Sequence, residues 1–435
     1  MTKRQRKQPS SSEISPTAIG ALLAGEQVSF DDDVAAPKAS DEELNSRYAK
    51  GEIRIVTEQA RYPLAGILQM LRETLPDETG RAELRYQLDP EYQRRHRWSA
   101  ERKSRLIESF LLNVPVPPVF LYERDLARFE VMDGRQRLTA LSDFYADRFA
   151  LTGLQYWSDL DGRCYSQLPS KVRDGIDRRY ISSIILLKET AENEAHAAML
   201  KKMVFERLNS GGVKLGSQET RNAVYNGPLN KLCLQLSELA SFRRMWGIPL
   251  EPATEERNSD EEVDDALDEA TASGMRMFEK MEDVELVLRF FAYRQIGEFK
   301  AGLNKISEFL DRFIVRGNRF APSLLADYRT MFESTIGFLW DALGNDAFTL
   351  LDLGRRRATK IVYDPLMYVA NSPDVVPHRT KLIAHKDVLR AELQTMYQAN
   401  AELFSGRRTN FVDTQQRNRC MSVAFAAAIA KTPSA

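Results

Sequence analysis

Cysteine is scarce in this chain. Cys164, Cys233 and Cys420 are the only three in 435 residues, and they lie far apart. That spacing excludes a disulfide framework and a cysteine-rich zinc module, and it fits a reducing, cytoplasmic setting. Histidine is nearly as rare, with four residues; His96 has no partner at metal-ligand spacing and reads as a polar surface residue. No apolar run reaches the length needed to cross a bilayer. Neither sign of charge dominates: 61 Lys and Arg stand against 62 Asp and Glu, a net charge of −1. The chain is therefore no histone-like coat for nucleic acid, and any anion site must come from local clustering. No repeat with a period of 20–50 residues is visible.

What is present is globular. Hydrophobic residues make up 43%, aromatics 9% and charged residues 28%, enough to bury real cores. The length suggests two or three domains. Lys3, Arg4, Arg6 and Lys7 precede a small apolar patch from Ile19 to Ala24, an imitation of a secretion signal. A polar stretch with Glu13 and Pro16 separates the two, and Gly20 breaks the patch. Residues 1–45 read as a flexible tail.

Residues 46–190 mix short strands with helices. Strands are expected at Ile53–Val56, Leu84–Leu88, Val119–Tyr122, Arg128–Met132 and Tyr180–Leu187, with a helix near Leu64–Leu75. Ser99 reads as an N-cap, although Arg102 stands where a reciprocal capping box would have Glu. Leu106, Ile107, Phe110 and Leu111 form one apolar stripe on the helix that follows. Val114-Pro115-Val116-Pro117-Pro118 ends it, because proline lacks the amide and restricts its predecessor. Residues 191–435 read as all-helical, with helices at Glu192–Leu208 (Met199, Met203 and Leu208 among its apolar members), Ser217–Tyr225, Leu229–Leu239, Val284–Phe291, Leu303–Phe313 and Leu324–Leu343. Ten acids and one base fill residues 251–269; such a block is a solvated loop, or else a nucleic-acid mimic or metal site.

The informative segment is Asp133-Gly134-Arg135-Gln136-Arg137, expected between a strand and a helix whose far side is buried through Leu138, Leu141 and Phe144. A helix N-terminus exposes unpaired amides and the positive end of its dipole, so it attracts phosphate. Gly134 permits close approach to the backbone. Arg135 and Arg137 add forked cationic donors. Gln136 can orient a water or read a base edge, and Asp133 can cap the helix or hold Mg2+. The same five residues also suit an ordinary helix with a charged first turn.

Two further clusters accompany it. Tyr92-Gln93-Arg94-Arg95-His96-Arg97-Trp98 sets three arginines between aromatics, and residues 81–105 carry eight bases against four acids. Such interleaving suits phosphate binding with base stacking, or a solvated face anchored by Trp98. Phe205-Glu206-Arg207-Leu208-Asn209-Ser210-Gly211-Gly212 ends a helix on two glycines. Gly211–Ser217 echoes a phosphate-binding P-loop only faintly, since the lysine and the preceding strand are missing. Arg355-Arg356-Arg357 with Lys360, and Arg407-Arg408 near Arg417 and Arg419, are basic patches open to DNA or to solvent.

In their order these motifs resemble the nucleotidase family that forms the N-terminal part of GmrSD-type type IV restriction enzymes. Its Phe/Tyr-Gln-Arg is matched by Tyr92, Gln93 and Arg94, and its P-x-P-P by Pro115, Pro117 and Pro118. Its Asp-Gly-Gln-Gln-Arg is matched by Asp133, Gly134, Gln136 and Arg137, with Arg135 where the family usually has Gln. Its Phe-Glu-Arg-Leu-Asn-x-Gly-Gly is matched from Phe205 to Gly212. The likeness spans about residues 50–320. It implies an α+β chain with a ParB/sulfiredoxin-like mixed domain over 46–190 and a helical domain over 191–435. It also implies NTP binding and hydrolysis of a phosphoanhydride in an anti-phage DNA-restriction system. Asp133, Gln136 and Arg137 would be catalytic, with Asp133 holding Mg2+; Gln93, Arg94, Gly134, Arg135 and Asn209 would bind the nucleotide. The full restriction enzymes usually carry a C-terminal His-Asn-His nuclease. Pro377-His378-Arg379 is not followed by that spacing, so a separate nuclease subunit is the expected partner, with DNA as a further one. The alternatives are a non-enzymatic ParB-like module that binds DNA or a partner, and a ParB-like DNA nickase.

Overall fold

The computed structural model describes residues 22–28, 40–50, 55–77, 80–88, 98–188, 194–208, 217–250, 269–296, 306–351, 357–406 and 411–433. Within them the N-terminal part is built on strands and the C-terminal part on helices, an α+β arrangement. Strands β1 (Thr57–Pro63), β4 (Tyr86–Gln87), β5 (Val119–Asp125), β6 (Arg128–Asp133) and β7 (Tyr180–Leu186) form one mixed sheet in the order β1-β7-β5-β6-β4. Pairs β1–β7 and β5–β6 are antiparallel, while β5–β7 and β4–β6 are parallel. Strands β2 (Thr74–Pro76) and β3 (Ala82–Leu84) make a separate antiparallel pair.

The main helices beside the sheet are α1 (Ala100–Leu112), α2 (Arg135–Tyr145) and α3 (Ser170–Asp177). Ser99 caps α1 by accepting from the Arg102 amide, and Asn113 closes it in the left-handed conformation. The sheet separates two cores because side chains alternate along a strand. Val119 and Leu121 of β5, Phe129 and Val131 of β6, and Ile181 and Ile185 of β7 pack against α1 and α2. Leu138, Leu141 and Phe144 meet them from α2, all buried as the spacing predicts. On the other face Tyr122, Met132 and Leu186 join the core of the helical part.

That part includes α4 (Glu194–Leu208), α5 (Ser217–Val224), α6 (Pro228–Leu236), α7 (Glu282–Tyr293), α8 (Ile306–Gly317), α9 (Pro322–Leu343) and α10 (Lys360–Ala370). Lys201 of α4 fastens it to the sheet by donating to Glu130 Oε2 at 2.5 Å, with its ammonium 4.2 Å from the centre of the Tyr122 ring. The chain side of α4 that enters the core is Leu200 and Phe205; Met199, expected there, is exposed.

Three other expectations need correction. The first strand lies at Thr57–Pro63, after the expected Ile53–Val56, of which residues 53–54 are outside the described residues. Its sequence is polar and its burial slight; it is an edge strand created by pairing with β7. The helix expected over Leu64–Leu75 is a short turn of helix, Leu64–Met70, that gives way to β2. Residues 22–28, inside the expected tail, are anchored in the helical part. Glu26 is fully buried and accepts from Arg294 Nε at 2.5 Å and Nη2 at 2.9 Å. The Gln295 side chain donates to the Glu26 carbonyl and accepts from the Val28 amide. A buried carboxylate is tolerable only with such partners, and Arg294 stands 268 residues away along the chain.

Candidate functional site

The edge of the site is the junction where β6 becomes α2. Asp133 ends the strand opposite Phe120 of β5. Gly134 then turns the chain at φ +90° and takes the N-cap position, with no side chain capping the helix. A Cβ at Gly134 would sit 3.0 Å from Arg137 Nη2 and from Val119 Cγ2, in addition to the left-handed strain. Both space and conformation therefore demand glycine here. Asp133 does not cap α2, as one of its expected roles required; its carboxylate instead accepts from Arg137 Nη2 at 2.7 Å.

Arg137 holds the turn to the proline segment, since Nη2 also donates to the Pro118 carbonyl at 3.2 Å. Its Nε is buried and has no hydrogen-bond partner among the described residues. The guanidinium is thus charged, oriented and incompletely used, beside a carboxylate that is 38% exposed. Arg135 is placed differently. It is buried, and its Nε donates to the Val131 carbonyl at 2.6 Å, one turn back along the chain. Gln136 accepts at long range, 3.5 Å, from the amide of Trp98.

These contacts join three of the four sequence motifs. The proline segment reaches the turn through Pro118 and Val119, and the aromatic-basic segment reaches it through Trp98. Trp98 packs partly against the sheet core and carries the Arg102 guanidinium 4.8 Å from its ring centre. Gln93 and Arg94, with all of Tyr92–Arg97, lie outside the described residues, as do Asn209 and Gly211–Gly216. The acids of 251–268 and the arginines at 355, 356, 407 and 408 are outside them too. No group of three or more His, Cys, Asp or Glu suited to a metal occurs among the described residues. Magnesium is often held by one or two carboxylates plus substrate phosphates, and Asp133 supplies one such carboxylate.

A second polar centre escaped sequence reasoning. Arg221 of α5 is almost fully buried, with 1% of its side chain exposed. Its Nε donates to Asp311, Nη1 to Gln218 and Glu285, and Nη2 to the carbonyl and hydroxyl of Ser307. Gln218 also donates to Asn222, whose own amide reaches Met281 Sδ. Lys202 of α4 pairs with Asp311, and Arg289 of α7 pairs with Asp364 of α10. Burial raises the Glu285 pKa, but Lys360, Arg221 and Arg289 outweigh it and leave the carboxyl below its usual range. The available signal was Gln218-Glu219-Thr220-Arg221-Asn222, a polar run on a helix whose neighbours are apolar.

A mixed sheet leading through a glycine turn into a helix, with an arginine-carboxylate pair at the junction, defines a strand-turn-helix domain of α+β class. Residues 78–226 match the model of a family described as GmrSD restriction endonuclease, N-terminal domain. The matched stretch contains the turn, the proline segment, α4 and the Arg221 helix. No curated protein and no solved structure matches the chain. Among the described residues no helix is long and apolar enough to cross a membrane.

Proposed function

We propose that the chain is an NTP-binding and NTP-hydrolysing component of a DNA-restriction system directed against phage, acting with a separate nuclease. The family of residues 78–226 supports a role in restriction. The observation that carries the nucleotide reading is Arg137: a guanidinium fixed by Asp133 and Pro118 at an N-terminus no side chain caps, with its Nε unmatched. A fixed cation at a helix start is suited to phosphate oxygens.

In this reading Arg137 grips the phosphates and stabilises the charge that develops on them. Gly134 makes the left-handed turn and lets Arg137 pack closely against it, and Gln136 orients the attacking water. Arg94 and Gln93 bring further donors from the upstream motif, and Asn209 orients the nucleotide. Arg135, already bonded to the Val131 carbonyl, shapes the turn and adds positive potential from within. Asp133 would hold Mg2+, which when bound neutralises phosphate charge.

Purified protein is expected to release phosphate from at least one of GTP, CTP and ATP with magnesium present, and Arg137→Ala to abolish it. Equal release by the two proteins would remove this turn from the mechanism.

A further inference from the structure

Where α10 begins, a cavity of about 410 Å³ opens in the helical part. Its walls include Trp246, Met277, Leu350, Ile361 and Phe404, each from a different stretch of chain. Trp246 and Phe404 are almost fully buried, and the other three pack partly buried against the core. The rim is held by hydrogen bonds. The Thr359 amide donates to the Phe348 carbonyl at 2.9 Å, and the Thr359 hydroxyl accepts from the Ile361 amide at 3.4 Å. Opposite, Arg417 Nε donates to the Leu403 carbonyl at 3.0 Å. Gly406, at φ +87°, comes so close that a Cβ there would meet Ile361 Cδ1 at 3.2 Å. An apolar hollow on fixed backbone is the usual form of a small-ligand site, and such sites run from roughly 300 to 1,000 Å³.

The charged residues that line it are Glu282, Arg357 and Lys360. The Lys360 ammonium is already paired, 3.0 Å from Glu282 Oε2 and 3.5 Å from Glu285 Oε1. Arg357 is exposed and has no hydrogen bond or ion pair among the described residues. One unpaired cation therefore stands at an apolar hollow. The sequence adds charge of the same sign. Arg355 and Arg356 precede Arg357, and Arg407 and Arg408 follow Gly406, which also lines the cavity. Over residues 350–360 and 400–410 six bases stand against two acids, Asp352 and Glu402. Two basic patches far apart in the sequence thus meet at one cavity, through Arg357 and Gly406. Arg417, which the sequence groups with the second patch, is buried and serves the Leu403 carbonyl instead.

We propose that this cavity binds a small aromatic phosphate, with its ring system against Trp246, Ile361 and Phe404 and its phosphate beside Arg357. Flat apolar rings suit a hollow edged by aromatic side chains. A forked guanidinium suits phosphate oxygens, and more than one arginine at the mouth favours a group that carries close to two negative charges. The volume admits one ring system with its phosphate and no polymer chain.

Calorimetric titration of the full chain with naphthyl phosphate, naphthol and inorganic phosphate tests the proposal. Naphthyl phosphate should bind saturably at one site. Naphthol, which lacks the charge, and inorganic phosphate, which lacks the rings, should each bind on the order of tenfold more weakly or worse. Arg357→Gln should weaken naphthyl phosphate on the order of tenfold or more, at an unchanged urea midpoint because that side chain has no partner to lose. Arg137→Ala should bind it as wild type does, which separates this cavity from the turn of β6 and α2. No saturable binding, equal binding of naphthol or of inorganic phosphate, equal binding by Arg357→Gln, or loss in Arg137→Ala overturns the proposal. The acids of 251–268 fall in sequence between Trp246 and Met277, and they supply one more arm. Binding that occurs only after residues 252–267 are replaced by a glycine-serine linker would mean that the chain's own acids hold the arginines, and it overturns the proposal for the intact protein.

Discussion

Arg137 and Arg221 each stand beside a carboxylate, one where the sheet turns into α2 and the other inside the helical core. At Arg221 all five donor hydrogens have acceptors, supplied by its own helix α5 and by α7 and α8. At Arg137 a single nitrogen serves Asp133 and Pro118, while Nε has no partner among the described residues. A buried charge whose hydrogen bonds are complete is a fastening, since anything added must displace a bond already made. A fixed charge with donors left over, next to a half-open carboxylate, has capacity for a ligand. The same residue type, on helices of the same domain, therefore serves opposite purposes, and the hydrogen-bond inventory distinguishes them.

That contrast is broken most severely at the fastening. Arg221→Ala removes five hydrogen bonds from this buried network, one partner each from Asp311 and Glu285 among them, and is expected to cost about 3–5 kcal/mol, read as a lower midpoint in urea. Arg221→Lys should not restore it, because an ammonium cannot reach the same forked set of acceptors. An unchanged midpoint in Arg221→Ala would mean the core does not depend on this hub.

Gly134→Ala tests the turn. Left-handed strain and the 3.0 Å approach to Val119 and Arg137 predict a loss of about 1–3 kcal/mol, together with loss of phosphate release. Full activity in this variant would show that the turn tolerates a displaced Arg137.

Acid should weaken the hub. The Glu285 carboxyl lies below its ordinary value in the folded protein. Its contribution is thus complete above the ordinary value of 4.5 and is lost as pH falls through the lowered folded value. Urea midpoints measured down the pH scale should fall below that ordinary value, and Glu285→Gln should flatten the fall. Parallel curves for the two proteins would assign the acid loss elsewhere.

The smallest effect on stability is expected at Arg137. Its partner Asp133 is well exposed, and the pair should contribute about 1 kcal/mol or less. Arg137→Ala should therefore fold as wild type does. A loss as large as that at Arg221 would make Arg137 a fastening too.

What could be read from the sequence was local. Ser99 as a cap, the stop at Pro115–Pro118, the hairpin strands β5 and β6, and the stripe Leu138, Leu141 and Phe144 depend on neighbours within a few residues, and the structure places them as read. The glycine turn was legible because its strand, turn and helix are contiguous. Strand β1 was not, since its residues are polar and its register comes from β7, more than a hundred residues away. The Arg221 hub and the Glu26 anchor were invisible for the same reason, with partners at Asp311 and Arg294. Residue type alone makes Arg135 and Arg137 equal forked donors, and the resemblance assigns Arg137 to catalysis and Arg135 to nucleotide binding. The fold adds the contacts, turning Arg135 onto the Val131 carbonyl and leaving Arg137 beside Asp133.

Titration calorimetry of GTP, CTP and ATP with magnesium, against wild type and Arg137→Ala, tests the central claim most directly. The account predicts saturable binding of at least one nucleotide by wild type and none by the variant, at equal unfolding midpoints. Equal heats from the two proteins, or no binding by wild type, would contradict it.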